Sequence, residues 1–164
     1  MSRKEFTGLI EGLFTLMALD QPERVIAGDA LMINKVAFSL VQSDQIDASL
    51  MSIYADFGPI PAQLEARICK VLMEANLYLF IEQGPIFALS ADQKNVLCAE
   101  RRVIGKTTPE DLYELLMRLA SKANEWRINY FLDSKPNAPV QQPGRAGWSK
   151  LQTTAANQPP LRNG

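Results

Sequence analysis

The stretch FGPIPAQLEARICKVLMEAN, residues 57–76, joins two kinds of secondary structure and decides the fold. The residues before Gly58 alternate apolar and polar side chains, which is typical of a strand, and Gly58 with the prolines that follow ends it. Pro61 suits the first position of a helix. The apolar residues after it share one helical face, namely Leu64, Ile68, Val71, Leu72 and Ala75. The stretch therefore predicts a strand, a turn and a helix.

Periodic apolar residues before this stretch predict a helix and a strand meander. Residues 2–18 place apolar side chains at helical spacing, namely Phe6, Leu9, Ile10, Leu13 and Met17. Residues 30–57 alternate apolar and polar side chains in three short runs, with Asn34-Lys35 as a tight turn between the first two. We therefore predict an amphipathic helix followed by three antiparallel strands.

The region after residue 76 predicts two further strands and a last helix. The strands are expected at residues 86–90 and 95–104. Thr108 suits a helix N-cap and Pro109 suits the first helical position, so a long helix is predicted to begin there. The complete order, α-β-β-β-α-β-β-α, does not alternate strand and helix. It predicts an α+β fold in which three helices accompany an antiparallel, twisted, five-stranded sheet.

A change in composition near residue 134 predicts two regions. Residues 1–133 form the predicted domain, and residues 134–164 are rich in Pro, Gln and Asn and predict a disordered tail. The tail carries a charge of +4 and no acidic residue, which leaves −5 on the preceding residues of a chain whose net charge is −1. Because an acidic folded region repels nucleic acid, we expect no nucleic-acid partner.

The available residue types argue against most catalytic sites. The chain has no histidine, which excludes Ser-His-Asp and Cys-His relays and removes the commonest metal ligand. Cys69 and Cys98 lie in apolar patterns without metal-site spacing and are expected to be buried, reduced thiols. The scattered glycines form no phosphate-binding loop. We therefore predict no enzymatic activity, no cofactor and no metal.

The N-terminal sequence and the hydropathy pattern bear on localisation. Glu5 and Glu11 interrupt the apolar segment at the start of the chain, which is not typical of a secretory signal. No apolar run approaches the length of a membrane span. We expect a cytoplasmic protein.

The ordered set of elements and four short motifs resemble the class I type III secretion chaperones of the CesT/SycE (Tir chaperone) family. The motifs are FGPIP at 57–61, LMEAN at 72–76, FALS at 87–90, and Ala123-Asn124-Glu125-Trp126 followed by Arg127. The resemblance covers roughly residues 3–131. Leu119-Ala120 stands where the family often has a Phe, and the tail is longer than that of a typical member.

The resemblance implies a homodimeric bacterial chaperone with no enzymatic activity and no cofactor. Members of this family bind the N-terminal segment of a secreted effector in the cytoplasm, hold it extended, and deliver it to the secretion ATPase. Two alternatives remain. One is a dimeric adaptor domain of the same fold that binds a folded partner outside secretion, and the other is an enzyme that uses paired carboxylates.

Two apolar surfaces are predicted from the residues together with the resemblance. An extended client is expected to add a strand beside the first two strands. The predicted effector-binding residues are Leu9, Leu13, Phe14, Leu16, Leu31, Ile33, Val36, Phe38 and Leu40. The predicted dimer interface consists of Ile60, Leu64, Ile68, Val71 and Leu72. Packing of that same helical face on the chain's own sheet is the alternative, although the further apolar residues Leu77, Leu79 and Phe80 exceed what such packing requires.

Overall fold

An antiparallel sheet of five strands organises the chain in the computed structural model, which describes residues 2–43, 47–82, 84–92 and 94–132. The strands are β1 (Leu31–Ile33), β2 (Val36–Ser43), β3 (Asp47–Pro59), β4 (Ile86–Leu89) and β5 (Asn95–Val103). Their order in the sheet is β1-β2-β3-β5-β4. The predicted tail, residues 134–164, lies outside the described residues, so the division of the chain near residue 134 stays a prediction.

Four α-helices accompany the sheet in the part of the chain that the structure describes. They are α1 (Ser2–Leu16), α2 (Pro22–Ile26), α3 (Glu65–Ile81) and α4 (Pro109–Asn129). The predicted α+β class and the order of the three long helices and five strands are confirmed. The short helix α2 was not predicted, because Pro22 indicates a helix stop in the sequence and here occupies the first turn of a new helix.

The two-residue turn between β1 and β2 confirms the hairpin prediction. Asn34 and Lys35 both adopt left-handed backbone conformations, with φ angles of 48° and 65°. Ile33 pairs with Val36 directly across the turn. This is the type I′ geometry that matches the twist of the flanking strands.

The junction in the FGPIP segment differs from the prediction in two details. β3 continues to Pro59, because the pairing register with β5 shifts between Asp56 and Gly58 and this irregularity accommodates the glycine, whose φ is 107°. The Asp56 carboxylate accepts a 2.8 Å hydrogen bond from the Gly58 N–H and holds the bend. Pro61 precedes the 3-10 turn Ala62–Leu64, so α3 begins later, at Glu65.

The hydrophobic core lies on one face of the sheet, under α1 and α4. Alternate residues of the strands point to this face, and the inward stripe of α4 is buried from Leu112 to Trp126. An aromatic cluster closes the core at one end, where Phe57 lies 6.1 Å from Trp126 and 5.5 Å from Phe87, measured between ring centroids. Leu119 and Ala120, at the position where the resembled family often has a Phe, are both buried in this core.

The start of α4 confirms the predicted helix cap. The Thr108 hydroxyl accepts a hydrogen bond from the Asp111 N–H, and the Asp111 carboxylate accepts one from the Thr108 N–H. These hydrogen bonds hold the pKa of Asp111 below its usual value. The cap fixes where α4 begins and so places Pro109 against α1.

The contact between α1 and Pro109 predicts opposite effects for two glycine substitutions in the same helix. A Cβ atom at Gly12 would lie 2.6 Å from Cγ of Pro109, whereas a Cβ atom at Gly8 would meet no atom within 4 Å. Gly12→Ala is expected to lower the free energy of unfolding by about 1–3 kcal/mol through overpacking. Gly8→Ala is expected to raise it by about 0.5–1 kcal/mol through helix propensity.

Urea denaturation followed by circular dichroism measures both variants. Equal stabilities of Gly12→Ala and Gly8→Ala would contradict the close packing of α1 on the first turn of α4.

Candidate functional site

Most of the predicted effector-binding residues lie in the core of a single chain. Eight of the nine are at most 6% exposed, because the stripe of α1 and alternate residues of β1 and β2 point into the same interior. These eight are Leu9, Leu13, Phe14, Leu31, Ile33, Val36, Phe38 and Leu40. Leu16 is 46% exposed at the end of α1. Contact of these residues with an effector stays a prediction.

The predicted dimer residues lie on the inward side of α3 and in the segment before it. Ile68 and Leu72 are buried within the chain, and Ile60, Leu64 and Val71 are half-buried. Inward packing of this face is the alternative that the sequence left open. The role of these residues in self-association stays a prediction.

The opposite side of α3 carries an exposed apolar strip, which we call the α3 stripe and define as Met73, Leu77, Phe80 and Ile81. These side chains are between 52% and 75% exposed, and their spacing places them on one helical face. Within the chain α3 contacts chiefly β4 and the 3-10 turn before it. Ile86 and Leu89 of β4 are also exposed. An exposed apolar helical face such as the α3 stripe is typical of a protein–protein interface.

Among the residues that the structure describes, β1 is an edge strand whose partner is β2, so its outer edge is open. In a hairpin with a two-residue turn, the two residues that flank the turn form a hydrogen-bonded pair, and hydrogen-bonded and non-hydrogen-bonded pairs then alternate along the strands. Ile33 and Leu31 therefore form hydrogen-bonded pairs with β2, and Met32 between them does not. The alternation of the ladder therefore directs the N–H and C=O of Met32 away from β2. The Met32 side chain is 60% exposed. This edge presents an outward backbone donor and acceptor to which another strand can pair.

The β4 edge is closed by a side chain that imitates a strand. The Asn76 Nδ2 donates to the Phe87 carbonyl oxygen at 2.9 Å, and the Phe87 N–H donates to Asn76 Oδ1 at 2.6 Å. By the same alternation the next outward position before Phe87 is Pro85, which has no N–H. Asn76 thus occupies both outward groups of Phe87 and Pro85 offers no N–H, which leaves Leu89 as the outward position of β4 that keeps its N–H and C=O.

The face of the sheet opposite the core contains a shallow depression of about 370 Å³. It is lined by four half-buried residues, Ala37, Ser39, Asp56 and Leu97, and by the exposed Tyr54. Asn95 Nδ2 donates to both carboxylate oxygens of Asp56, at 3.1 and 2.9 Å. Because this carboxylate is held by hydrogen bonds within the chain, its role in the depression is structural.

The thiol of Cys98 and the carboxylate of Glu100, both on β5, are buried in the chain. Burial, reinforced by the charge of Glu100, raises the pKa of the Cys98 thiol to about 12, so this group stays protonated at neutral pH. Glu100 itself is buried and forms an ion pair with Arg102. In residues 2–43, 47–82, 84–92 and 94–132 no group of three or more Cys, Asp or Glu side chains is placed to hold a metal ion.

Three features of these surfaces were not predicted from the sequence. Of the α3 stripe, the sequence indicates only Leu77 and Phe80 as surplus apolar residues, because a helical pattern does not show which of two apolar faces turns inward. The bonds of Asn76 to β4 and the outward direction of Met32 depend on strand pairing. Pro85, next to a predicted strand, is the one local signal that could have indicated a closed edge.

Closure of the β4 edge predicts a local effect of substitution at Asn76. In Asn76→Ala the Phe87 N–H loses its acceptor, so its amide hydrogen is expected to exchange at least about tenfold faster and stability to fall by about 1 kcal/mol. Asn76→Asp keeps an acceptor for the Phe87 N–H but loses the donor, and should give an intermediate rate. Glu74→Ala, an exposed change on the same helix, is the control.

Amide hydrogen exchange resolved at Phe87 measures this effect. An unchanged Phe87 rate in Asn76→Ala would show that the side chain does not protect the edge.

Comparison with known proteins agrees with this architecture. The structure of the HopA1–SchA chaperone–effector complex matches with a TM-score of 0.58 and 15% identity, over 78% of this chain and 97% of the other. The Yersinia pestis type III secretion chaperone SycH, in complex with a stable fragment of YscM2, matches with a TM-score of 0.52 and 18% identity, over 73% and 98% of the two chains.

The ExsC–ExsE complex matches with a TM-score of 0.51 and 15% identity, over 62% of this chain and 74% of the other. At these identities the likeness concerns the fold. No curated protein matches the chain.

Membership of a family is shown by the sequence itself. The model of the Tir chaperone protein (CesT) family matches residues 30–127, which is more than half of the chain and extends from just before β1 to Arg127. No helix among the described residues is both long and apolar enough to span a bilayer. With this match and its five-stranded antiparallel sheet, the chain belongs to the Tir chaperone protein (CesT) family.

Proposed function

We propose that this chaperone binds the N-terminal segment of a secreted effector in the bacterial cytoplasm, keeps it extended, and delivers it to the type III secretion ATPase. The open β1 edge is the observation that carries the proposal, because it offers unpaired backbone groups to an extended chain. Family membership supports it. The structural neighbours include a chaperone–effector complex and a type III secretion chaperone bound to a protein fragment.

Strand addition at β1 explains how a chaperone accepts an unfolded client. Backbone hydrogen bonds to Met32 are indifferent to the client's side chains, whereas apolar contacts supply the preference. Exposed Leu16 and Leu19 lie in the segment that follows the buried stripe of α1, and the Met32 side chain is exposed on β1 itself. Ordering an extended segment costs roughly 2–5 kcal/mol, so several such contacts must act together.

The proposed mode of action is binding without turnover. The Cys98 thiol is held protonated by burial, with a pKa of about 12. The carboxylates of Asp56 and Asp111 accept hydrogen bonds that fix a strand bend and a helix cap. These groups serve the fold, and the family is a family of chaperones.

The α3 stripe supports a homodimer. A second copy of the chain is the partner that we expect to pack on the stripe. The stripe bears no charge, and a two-fold axis places the same apolar patch on both subunits. β4, the strand that α3 contacts, adds exposed apolar side chains, Ile86 on one face of the sheet and Leu89 on the other, and a stable interface buries roughly 800 Å² per partner. Of the residues predicted for this interface, Ile60, Leu64 and Val71 are half-buried and can contribute at its margin.

A charge placed in the α3 stripe is expected to weaken the dimer while the subunit stays folded. Leu77 is 54% and Phe80 is 75% exposed in the single chain, so glutamate at either position costs little within the subunit. Each substitution removes about 1.5–3 kcal/mol of apolar burial at the interface. We therefore expect Leu77→Glu and Phe80→Glu to raise the dimer dissociation constant at least about tenfold.

Sedimentation equilibrium measures the dissociation constants. Ser121→Glu, which adds the same charge at an exposed position of α4, is the control. If the variants with a glutamate in the stripe dimerise as tightly as the control, the contact lies elsewhere.

Proline at Met32 is expected to block client binding selectively. Met32→Pro removes the outward N–H and leaves the bonds of Leu31 and Ile33 to β2 in place, since proline is tolerated on edge strands. Met32→Ala keeps that N–H and removes the exposed side chain. We expect Met32→Pro to lower the affinity for the client at least about tenfold, and Met32→Ala to lower it less.

The probes are the first hundred or so residues of the type III secreted proteins of the source bacterium, each titrated by calorimetry. A segment that is unfolded when free and binds with one segment to two chaperone subunits supports the proposal. Failure of every segment to bind overturns it, and binding of a folded partner in their place favours the adaptor alternative.

A further inference from the structure

The guanidinium of Arg127, near the end of α4, connects two separate parts of the sheet. Nη1 donates to the Lys35 carbonyl oxygen at 2.8 Å, in the turn between β1 and β2. Nε donates to the Phe57 carbonyl oxygen at 2.8 Å, and Nη2 donates to that of Asp56 at 2.9 Å, both in the bend of β3. One planar group therefore sets the distance between the hairpin turn and the bend.

The turn receives a second bond from the same helix. Asn124 lies one helical turn before Arg127, and its Nδ2 donates to the Asn34 carbonyl oxygen at 3.1 Å. Nη1 of Arg127 lies 3.4 Å from Asn124 Oδ1, which links the two side chains. Asn34 and Lys35 are both left-handed without being glycine, so their backbone conformation carries strain. Both carbonyls of this strained turn are held from α4.

The hairpin needs such support because β1 is short. β1 has three residues, and β2 is its single partner among the described strands. An isolated two-stranded hairpin is marginally stable at best in water. The buried side chains of Leu31 and Ile33 hold the strand on the core, and the bonds to Lys35 and Asn34 fix its end.

We propose that Arg127, together with Asn124, is a positioning residue for client binding, which holds the β1 edge in the extended geometry that accepts a strand. The inference rests on the proposed function. A fixed edge leaves only the client to be ordered on binding, and this lowers the entropic cost of association. Lysine cannot replace Arg127, because its single ammonium group does not reach three carbonyl oxygens in a plane.

The first test measures amide hydrogen exchange without any client. Asn124→Ala and Arg127→Lys are expected to accelerate exchange of the Ile33 and Val36 amides at least about tenfold, while Ile53 in the centre of β3 keeps its rate. Ser121→Ala, an exposed change on α4, is the control. Uniform acceleration across the sheet, or no acceleration at the hairpin, overturns the inference. Asn124→Ala removes the bond to the turn and the link to Arg127 but leaves the three carbonyl bonds of Arg127 in place, so it remains informative if Arg127→Lys fails to fold.

The second test titrates the same variants with the effector segment that binds the unaltered chain. We expect Asn124→Ala and Arg127→Lys to bind it at least about fivefold more weakly than Ser121→Ala, with the dimer dissociation constant unchanged. If the segment binds all three variants equally, Arg127 does not position the edge. This inference then fails while the proposed function stands. If no segment binds the unaltered chain, the proposed function fails, and the exchange data still decide whether Arg127 fixes the hairpin.

Discussion

The outward backbone N–H and C=O groups of an edge strand need hydrogen-bond partners. In this chain the two edge strands, β1 and β4, differ in whether the chain itself provides those partners. At β4 the side-chain amide of Asn76 takes the place of a neighbouring strand by bonding both backbone groups of Phe87. At β1 the backbone groups of Met32 point outward. The proposed chaperone function follows from this difference, because the outward groups of Met32 are available to an extended client and those of Phe87 are occupied by the chain itself.

The apolar surfaces of the helices are likewise divided between those buried within the chain and one that remains exposed. The core face of the sheet is covered by α1 and α4, and their apolar stripes are largely buried in a single chain. The α3 stripe remains on the outside, together with exposed residues of β4. A subunit of this kind completes its own core and still presents two surfaces for partners: a backbone edge that suits an unfolded segment, and an apolar helical face that suits a second copy. Arg127 connects the first of these surfaces to α4 by hydrogen bonds to carbonyl groups.

Local patterns in the sequence predicted the helices and strands well where neighbouring residues determine the structure, as they do in helix caps and tight turns. The capping residues Thr108 and Pro109 place the start of α4, and Asn34-Lys35 forms the predicted hairpin turn. Pro22 was misleading because proline both ends one helix and begins another. The site was less predictable, since periodicity identifies an apolar face without showing whether its partner is the same chain. Eight of the nine predicted effector residues are buried for this reason. The bonds of Asn76 and Arg127 join residues 11 to 92 positions apart, which no local pattern indicates.

The most direct test of the account is the hydrogen exchange of two amides, Met32 and Phe87, in the free chaperone and in its complex with an effector segment. Strand addition at the open edge predicts that the Met32 amide is strongly protected only in the complex, and that the Phe87 amide is protected to the same degree in both states. If the Met32 amide exchanges equally fast with the segment bound, the client does not pair with β1, and the central claim is contradicted.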